Sequence, residues 1–386
     1  VSNMASHRVL AINRGEKEEF LKVKLEIDND RMLKYIENQY INKDNFKNKD
    51  ILVAAIEDAY KRLIFPAIER EVRNHLTELA QERAINVFGE NIKNLLLQPP
   101  LKGKVVMGFD PGYVNGCKIA VVDASGKFLD EAIVYPHKPQ SKTEQAKKIL
   151  KKLIETYKID VIAIGNGTAS RESETLISEL IKELGVNTQY IIVNEAGASI
   201  YSASELAAEE HPDINVSIRG AISIGRRLQD PLAELVKIDP ESIGVGQYQH
   251  DLNKKRLKEV LDGVVEDSVN KVGLDLNTAS HSLLEHIAGV SKTVAKNIIA
   301  YREENGPFKS RNELKKVKRL GPSAFVQCAG FMRIENGKNP LDSTGVHPES
   351  YDICKKMLEI LGYSLDDVKN KNISDIDERI ENIGLK

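Results

Sequence analysis

Three observations predict a multidomain chain that joins helical and α/β parts. Its 386 residues are enough for two or three domains at roughly 100 to 200 residues each. Apolar positions recur at helical spacing through the first hundred residues, then switch at Lys104 to short strand-like runs alternating with helices. Between residues 271 and 334 a helical pattern repeats at an offset of 30. These changes delimit a mainly helical N-terminal region at 1–100, an α/β domain at 101–265, a duplicated helical module at 266–336 and a helical C-terminal segment at 337–386.

In the first region, Leu21, Val23, Leu25 and Ile27 alternate with Lys22, Lys24 and Glu26, which predicts a strand over 20–27. Ile56, Tyr60 and Leu63 then form an apolar helical stripe. With Pro66 placed in a first turn, Ile68, Val72, Leu76, Leu79, Phe88, Ile92 and Leu95 extend it. Such a long charged helix is expected to be a solvated support arm. Gln98-Pro99-Pro100, followed by Gly103, ends it.

Beyond Lys104, strands are predicted over 105–109, 119–122 and 128–134, with Ala124-Ser125-Gly126 as the turn between the last two. A helix over 143–157, a strand over 161–164, a helix over 172–184 and a strand over 190–193 follow. Three strands able to pair as hairpins, then helix, strand, helix, strand, is the order of a ribonuclease-H-like domain. A doubly wound dinucleotide fold would place a helix after its first strand, and the glycine-rich fingerprint is missing there. Ile243-Gly244-Val245-Gly246 lacks the Gly-Lys-Ser/Thr of a phosphate loop and reads as a turn.

Composition narrows the function classes. Fifty-five basic against 57 acidic residues give a net charge of −2, which excludes a polybasic coat. Trp is absent, and Cys117, Cys328 and Cys354 have no paired spacing, so an oxidised framework or structural zinc site is not expected. The longest apolar run, Ile51 to Ile56, is far short of the ~20 residues that span a bilayer, and a reducing, cytoplasmic setting is expected. The charge is uneven, however. Residues 271–334 carry 11 basic and 5 acidic side chains, net +6, whereas 101–270 and 335–386 each come to −4.

Asp110 ends the first strand before Pro111-Gly112, where a ribonuclease-H-like nuclease holds one ligand of a metal pair. Asp-Pro-Gly is also an ordinary turn whose Asp caps its own backbone. Such a site needs three or four converging carboxylates. Asn166 stands after the fourth strand, Glu195 after the fifth, and Asp213 lies beside Pro212. The late helix reads Ser217-Ile218-Arg219-Gly220-Ala221, with a cation where an acid is needed. Asp110, Glu195 and Asp213 are thus the candidates for a Mg²⁺-dependent nuclease, and the incomplete set favours a non-catalytic scaffold without cofactor.

In the basic segment, Leu284, Ile287, Gly289, Val290, Ser291, Ala295 and Ile298 correspond to Leu314, Val317, Arg319, Leu320, Gly321, Phe325 and Cys328. Each copy is a short helix, a glycine-containing turn and a second helix: a helix-hairpin-helix pair. The ideal turn is Gly, apolar, Gly, because the outer residues let the backbone approach a phosphate and the next helix offers free N–H groups. Each copy keeps one glycine, Gly289 or Gly321, with Ser291 and Arg319 as departures. Lys292, Lys296, Lys315, Lys316, Lys318 and Arg319 supply cations. Contacts of this kind read the RNA or DNA backbone rather than base edges.

Several long runs resemble the Tex family of transcription accessory proteins. They are Ser6 to Glu16, Phe65 to Arg73, Phe109-Asp110-Pro111-Gly112 with Gly116-Cys117-Lys118, Asn194 to Ser199, Arg226 to Lys237, Gly244 to His250, and Asn339 to Asp342. The resemblance covers nearly the whole chain. It implies a helical N-terminal part, a YqgF domain of ribonuclease-H-like fold and helix-hairpin-helix modules, and with them a nucleic-acid-binding accessory protein of transcription; docking of the helical arm on the transcription machinery is a separate alternative that the sequence neither supports nor excludes. Tex proteins normally also carry an upstream helical region and a downstream OB-fold, so a fragment is expected. Where the family usually has Arg and Thr after Asp-Pro-Gly, this chain has Val114-Asn115.

Overall fold

The computed structural model describes residues 4–41, 48–244, 246, 248–335, 337–370 and 372–382. The expected turn at 243–246 and the run from Gly244 to His250 include Val245 and Gln247, which lie outside the described residues. Two compact units emerge, one from 1–89 with 245–260, the other from 90–244 with 261–386.

The first unit is helical: α1 (Ser6–Lys17), α2 (Asn29–Tyr40), α3 (Lys49–Ala59) and most of α4 (Phe65–Leu96). A single π-turn, Tyr60–Ile64, joins α3 to α4, with the Phe65 N–H reaching back to the Tyr60 carbonyl. Pro66 explains it, since proline lacks an N–H and its ring collides with the carbonyl four residues earlier, which a wider turn avoids. The expected strand at 20–27 has no regular secondary structure. Its alternation does set Val23 and Leu25 inward beside Val9, Ile12 and Leu76. A ladder needs a partner strand, however, and helices offer no free backbone groups; Leu25 N–H finds the Glu69 carboxylate at 2.9 Å. Two resemblance runs meet here through the Glu16–Arg73 ion pair. Arg14 holds Asp251 at 2.7 Å and lies over the Tyr248 ring.

In the second unit, β1 (Val106–Asp110), β2 (Cys117–Val122), β3 (Phe128–Val134), β4 (Val161–Gly165) and β5 (Gln189–Val193) form one sheet in the order β3-β2-β1-β4-β5. The first three pair antiparallel; β1, β4 and β5 are parallel. This is the ribonuclease-H-like order expected from the sequence. α5 (Thr143–Tyr157) and α6 (Ser170–Leu184) cover one face, packing on Met107, Phe109, Ile162 and Ile164. After α7 (Ala198–Ser202) and α8 (Glu205–Glu210), α9 (Val216–Gln229) covers the other face over Val106, Ala120, Val122 and Ala163.

α10 (Pro231–Leu235), α11 (Pro240–Ile243) and α12 (Lys254–Val272) lead to the duplicated module. There β6 (Leu274–Asp275), α13 (His281–Leu284), α14 (Lys292–Asn305), a 3₁₀ turn at Arg311–Lys316, α15 (Pro322–Cys328) and β7 (Met332–Arg333) follow in order. β6 and β7 pair in parallel and clasp its two ends. α16 (Tyr351–Ile360), α17 (Leu365–Lys369) and α18 (Ile376–Asn382) complete the chain around Leu341, Leu358, Leu361 and Tyr363. No described helix is long and apolar enough to cross a membrane.

Candidate functional site

The two turns of the duplicated module share one backbone course. Gly289 has φ +80° and its repeat equivalent Arg319 has φ +66°, so both occupy the left-handed region. Two positions on, Ser291 (φ −79°, ψ 163°) and Gly321 (φ −76°, ψ 171°) are the extended N-caps of α14 and α15. Arg319 therefore does a glycine's work, at about 1 kcal/mol or more for a side chain in that region. Val290 and Leu320 between them are buried and anchor the turns.

Each turn rests on the other hairpin. A Cβ on Gly289 would lie 2.8 Å from Gln327 Cβ and 3.2 Å from the Ala324 carbonyl. Asn297, the repeat equivalent of Gln327, donates to the Lys318 carbonyl at 2.6 Å. The offset of 30 is thus a pseudo-twofold bracing. Gly289 serves packing against the other hairpin, while nothing stands within 4 Å of a Cβ on Gly321.

Gly289, Ser291, Lys292, Lys296, Lys315, Lys316, Lys318, Arg319 and Gly321 are all exposed around these turns. Lys315 places its ammonium 4.6 Å from the Phe325 ring centre, so part of its charge is directed inward. The +6 count overstates the surface charge in another way. Arg311 is 1% exposed and donates to the carbonyls of Met332, Val346 and Thr344 and to the Tyr351 hydroxyl, tying the module to the C-terminal helices.

A third turn of the same kind went unread in the sequence. Gly362 has φ +76°, Tyr363 is buried, and Ser364 (φ −98°, ψ 165°) caps α17. The pattern Gly-apolar-Ser matches Gly289-Val290-Ser291 and was the available signal. Here, however, the Asp367 carboxylate accepts from the Ser364 N–H at 2.7 Å and from its hydroxyl at 2.6 Å. A built-in carboxylate fills the place where a phosphate would dock, in a segment with 11 acids and 7 bases.

The carboxylates divide. Asp110 lies on the α9 side of β1, where a Cβ on Gly220 would stand 3.5 Å from its Oδ2. α9 comes this close because Gly108 lets it: a Cβ there would sit 1.9 Å from the Ala221 carbonyl. The late helix thus presents glycine, not acid, to Asp110. Arg219 turns away and donates to the Ile214 carbonyl at 3.0 Å. Glu195 folds over Gly165 and Gly167 at the end of β4, while Asn166 accepts from the Glu195 N–H at 3.1 Å.

Burial, then the Glu195 charge, pushes Asp110 up to about 6 against the pull of Lys118. Burial also raises Glu195, opposed by the Gly167 N–H, Arg227 and Lys118. Asp213 is exposed and lines a cleft with Phe128, Asp130 and Glu131, apart from Asp110 and Glu195. Among the described residues, no three His, Cys, Asp or Glu are placed to hold a metal ion.

The profile described as Tex central region-like matches residues 1–88, and the Tex protein YqgF-like domain matches 104–229. A helix-hairpin-helix motif profile matches 269–333, and a further HHH domain profile matches 339–383, the segment holding the third turn. The chain is 53% identical to the Bacillus subtilis protein YdcI over 97% of its length. It is 51% identical to the transcriptional accessory protein Tex of Neisseria gonorrhoeae over 93%, and 41% identical to the human S1 RNA-binding domain-containing protein 1 over 95%. It spans 52%, 48% and 42% of those relatives respectively, about half the length of the curated relatives it matches.

Proposed function

From a chain that belongs to the Tex family, we propose a nucleic-acid-binding accessory factor of transcription that grips the sugar-phosphate backbone through its tandem hairpins, with the YqgF-like domain as scaffold. The observation that carries this reading is the matched pair of turns at Gly289–Ser291 and Arg319–Gly321. Both are exposed, both are preset in the left-handed-then-extended course that leads into a helix, and lysines surround both. Backbone N–H groups at a helix start and mobile ammonium groups recognise phosphate without reference to sequence. The gonococcal relative's name supports a role in transcription, and the human relative's name supports RNA among the polyanions to be tried.

A second reading, cleavage by the ribonuclease-H-like domain, is favoured by one observation: Glu195, which follows β5, folds across the end of β4 so that its charge acts on Asp110 at the end of β1. The residues present do not fit a metal pair, because Gly220 stands where a third carboxylate is needed and Lys118 adds a cation. One experiment separates the two. Labelled RNA, single-stranded DNA and duplex DNA are incubated with the chain in Mg²⁺, Mn²⁺ or chelator, and retention and cleavage are followed together. The scaffold reading expects retention without cleavage in every condition; metal-dependent cleavage that Asp110→Asn abolishes would overturn it.

A further inference from the structure

The two edges of the five-stranded sheet are built differently. β3, at one edge, carries Asp130 and Glu131 side by side, and the Glu131 N–H is taken by the Asp130 carboxylate at 2.8 Å. Charges and occupied donors of this kind keep a sheet edge from pairing with another chain. β5, at the other edge, reads Gln189-Tyr190-Ile191-Ile192-Val193 and has no charged residue. Tyr190, Ile191 and Ile192 are 37%, 45% and 39% exposed, three apolar side chains in succession on an open edge.

The hydrogen bonds of β5 show which of its backbone groups are open. The Gln189 N–H donates to the Asp160 carbonyl, and the Val193 carbonyl accepts from the Asn166 N–H. Residues 189, 191 and 193 therefore turn their backbone groups toward β4, while Tyr190 and Ile192 turn theirs off the sheet. Two N–H and two C=O groups stand at this edge, and among the described residues none of the four has a partner. Open backbone groups beside exposed apolar side chains call for another strand.

We infer that β5 pairs with β5 of a second copy of this chain, antiparallel across a twofold axis at Ile191, so that one sheet runs through both copies. In that register Tyr190 stands opposite Ile192 of the copy and exchanges both backbone hydrogen bonds with it; the symmetry-related pair does the same, and every open group is satisfied. Ile191 meets Ile191 of the copy in the closer, non-hydrogen-bonded pair. Aromatic against β-branched is a favoured cross-strand neighbour. Moving the axis to Tyr190 or Ile192 carries the other residue past the end of the copy's strand. Charge selects this edge over β3, where self-pairing would bring the Asp130 and Glu131 carboxylates toward those of the copy. Two five-residue strands bury less than the ~1,200 Å² of a standard interface, so the dimer is weak and reversible.

The test is sedimentation equilibrium of the full chain, without nucleic acid, over rising protein concentration. A reversible monomer–dimer equilibrium is expected. Ile191→Lys sets like charges face to face at the axis and should weaken association about ten-fold or more. Ile192→Pro removes an outward donor, which an edge strand tolerates, and should act likewise. Ile133→Lys, at an exposed position of β3, should leave association unchanged. Melting of each variant checks folding. The register is read with Ile191→Cys in a Cys354→Ser background, which copper phenanthroline should oxidise to a disulfide-linked dimer, because residues directly opposite in a non-hydrogen-bonded pair lie within disulfide reach. Monomer at every concentration overturns the inference and leaves the edge to a strand of another protein. A dimer that persists in both β5 variants, that Ile133→Lys breaks, or that gives no cross-link overturns it in favour of another face.

Discussion

Gly289 and Gly321 occupy different positions in related turns, and their substitutions should separate folding from binding. Gly289→Val puts a branched side chain at φ +80° and drives it into Gln327 and the Ala324 carbonyl. Denaturant unfolding should show a loss of about 2–4 kcal/mol. Gly321 has ordinary extended dihedrals and open space, so Gly321→Glu should cost less than about 1 kcal/mol while setting a carboxylate at the proposed phosphate-binding turn. Filter retention of RNA should weaken markedly for Gly321→Glu, and retention equal to that of the unmodified chain would remove this turn from the interface.

Asp110 makes a pH-dependent prediction. Its carboxyl is raised from 3.8 to about 6 by burial and by Glu195, so the protonated form is the better folded partner. Its favourable contribution is complete below about pH 4 and is lost as pH rises through 6. Asp110→Asn, which keeps the neutral shape, should therefore gain on the order of 1–3 kcal/mol of unfolding free energy at pH 8 and nothing at pH 4. A variant no more stable at pH 8 would mean that Asp110 is solvated as an anion.

At the scale of elements, β1, β2 and β4 were legible as continuous apolar runs because they are buried on both faces, and β3 was legible by its alternation because it is an edge strand with one face exposed. The same alternation misled at 20–27. There the period of two records which side chains face α1 and α4, and only the presence of another strand decides whether the backbone forms a ladder. The hairpins were legible from Leu284 to Cys328 because the repeat is internal. Their mutual bracing through Asn297 and Gln327 was not, since it depends on how the copies pack. Pairing of Asp110 with Glu195 was half legible; the glycine facing Asp110 was hidden in the close passage of α9 over Gly108.

The third turn was missed because its charge points the other way. Asp367 occupies its helix start, so removing that carboxylate should tell a structural turn from a binding one. Asp367→Ala is expected to lower the melting temperature and leave RNA retention unchanged. Loss of retention without loss of stability would show the C-terminal turn to be part of the interface.

For the whole molecule, a net charge of −2 is the sum of a +6 module and acidic flanks. Arg311 is buried and Lys315 leans on Phe325, so the electrostatic footprint is smaller than the count and concentrates on Lys292, Lys296, Lys316, Lys318 and Arg319. Under the proposed binding, the acidic flanks would confine a polyanion to the two braced turns and oppose a general coating. Salt dependence reads this directly, because each phosphate neutralised contributes roughly −0.7 to −0.9 to the slope of log affinity against log salt. The decisive measurement compares that slope for the unmodified chain and for Lys292→Glu combined with Lys318→Glu. The slope should flatten by roughly 1.4 to 1.8 if each lysine neutralises one phosphate, with melting unchanged; an identical slope in the two proteins would contradict phosphate binding by the tandem hairpins.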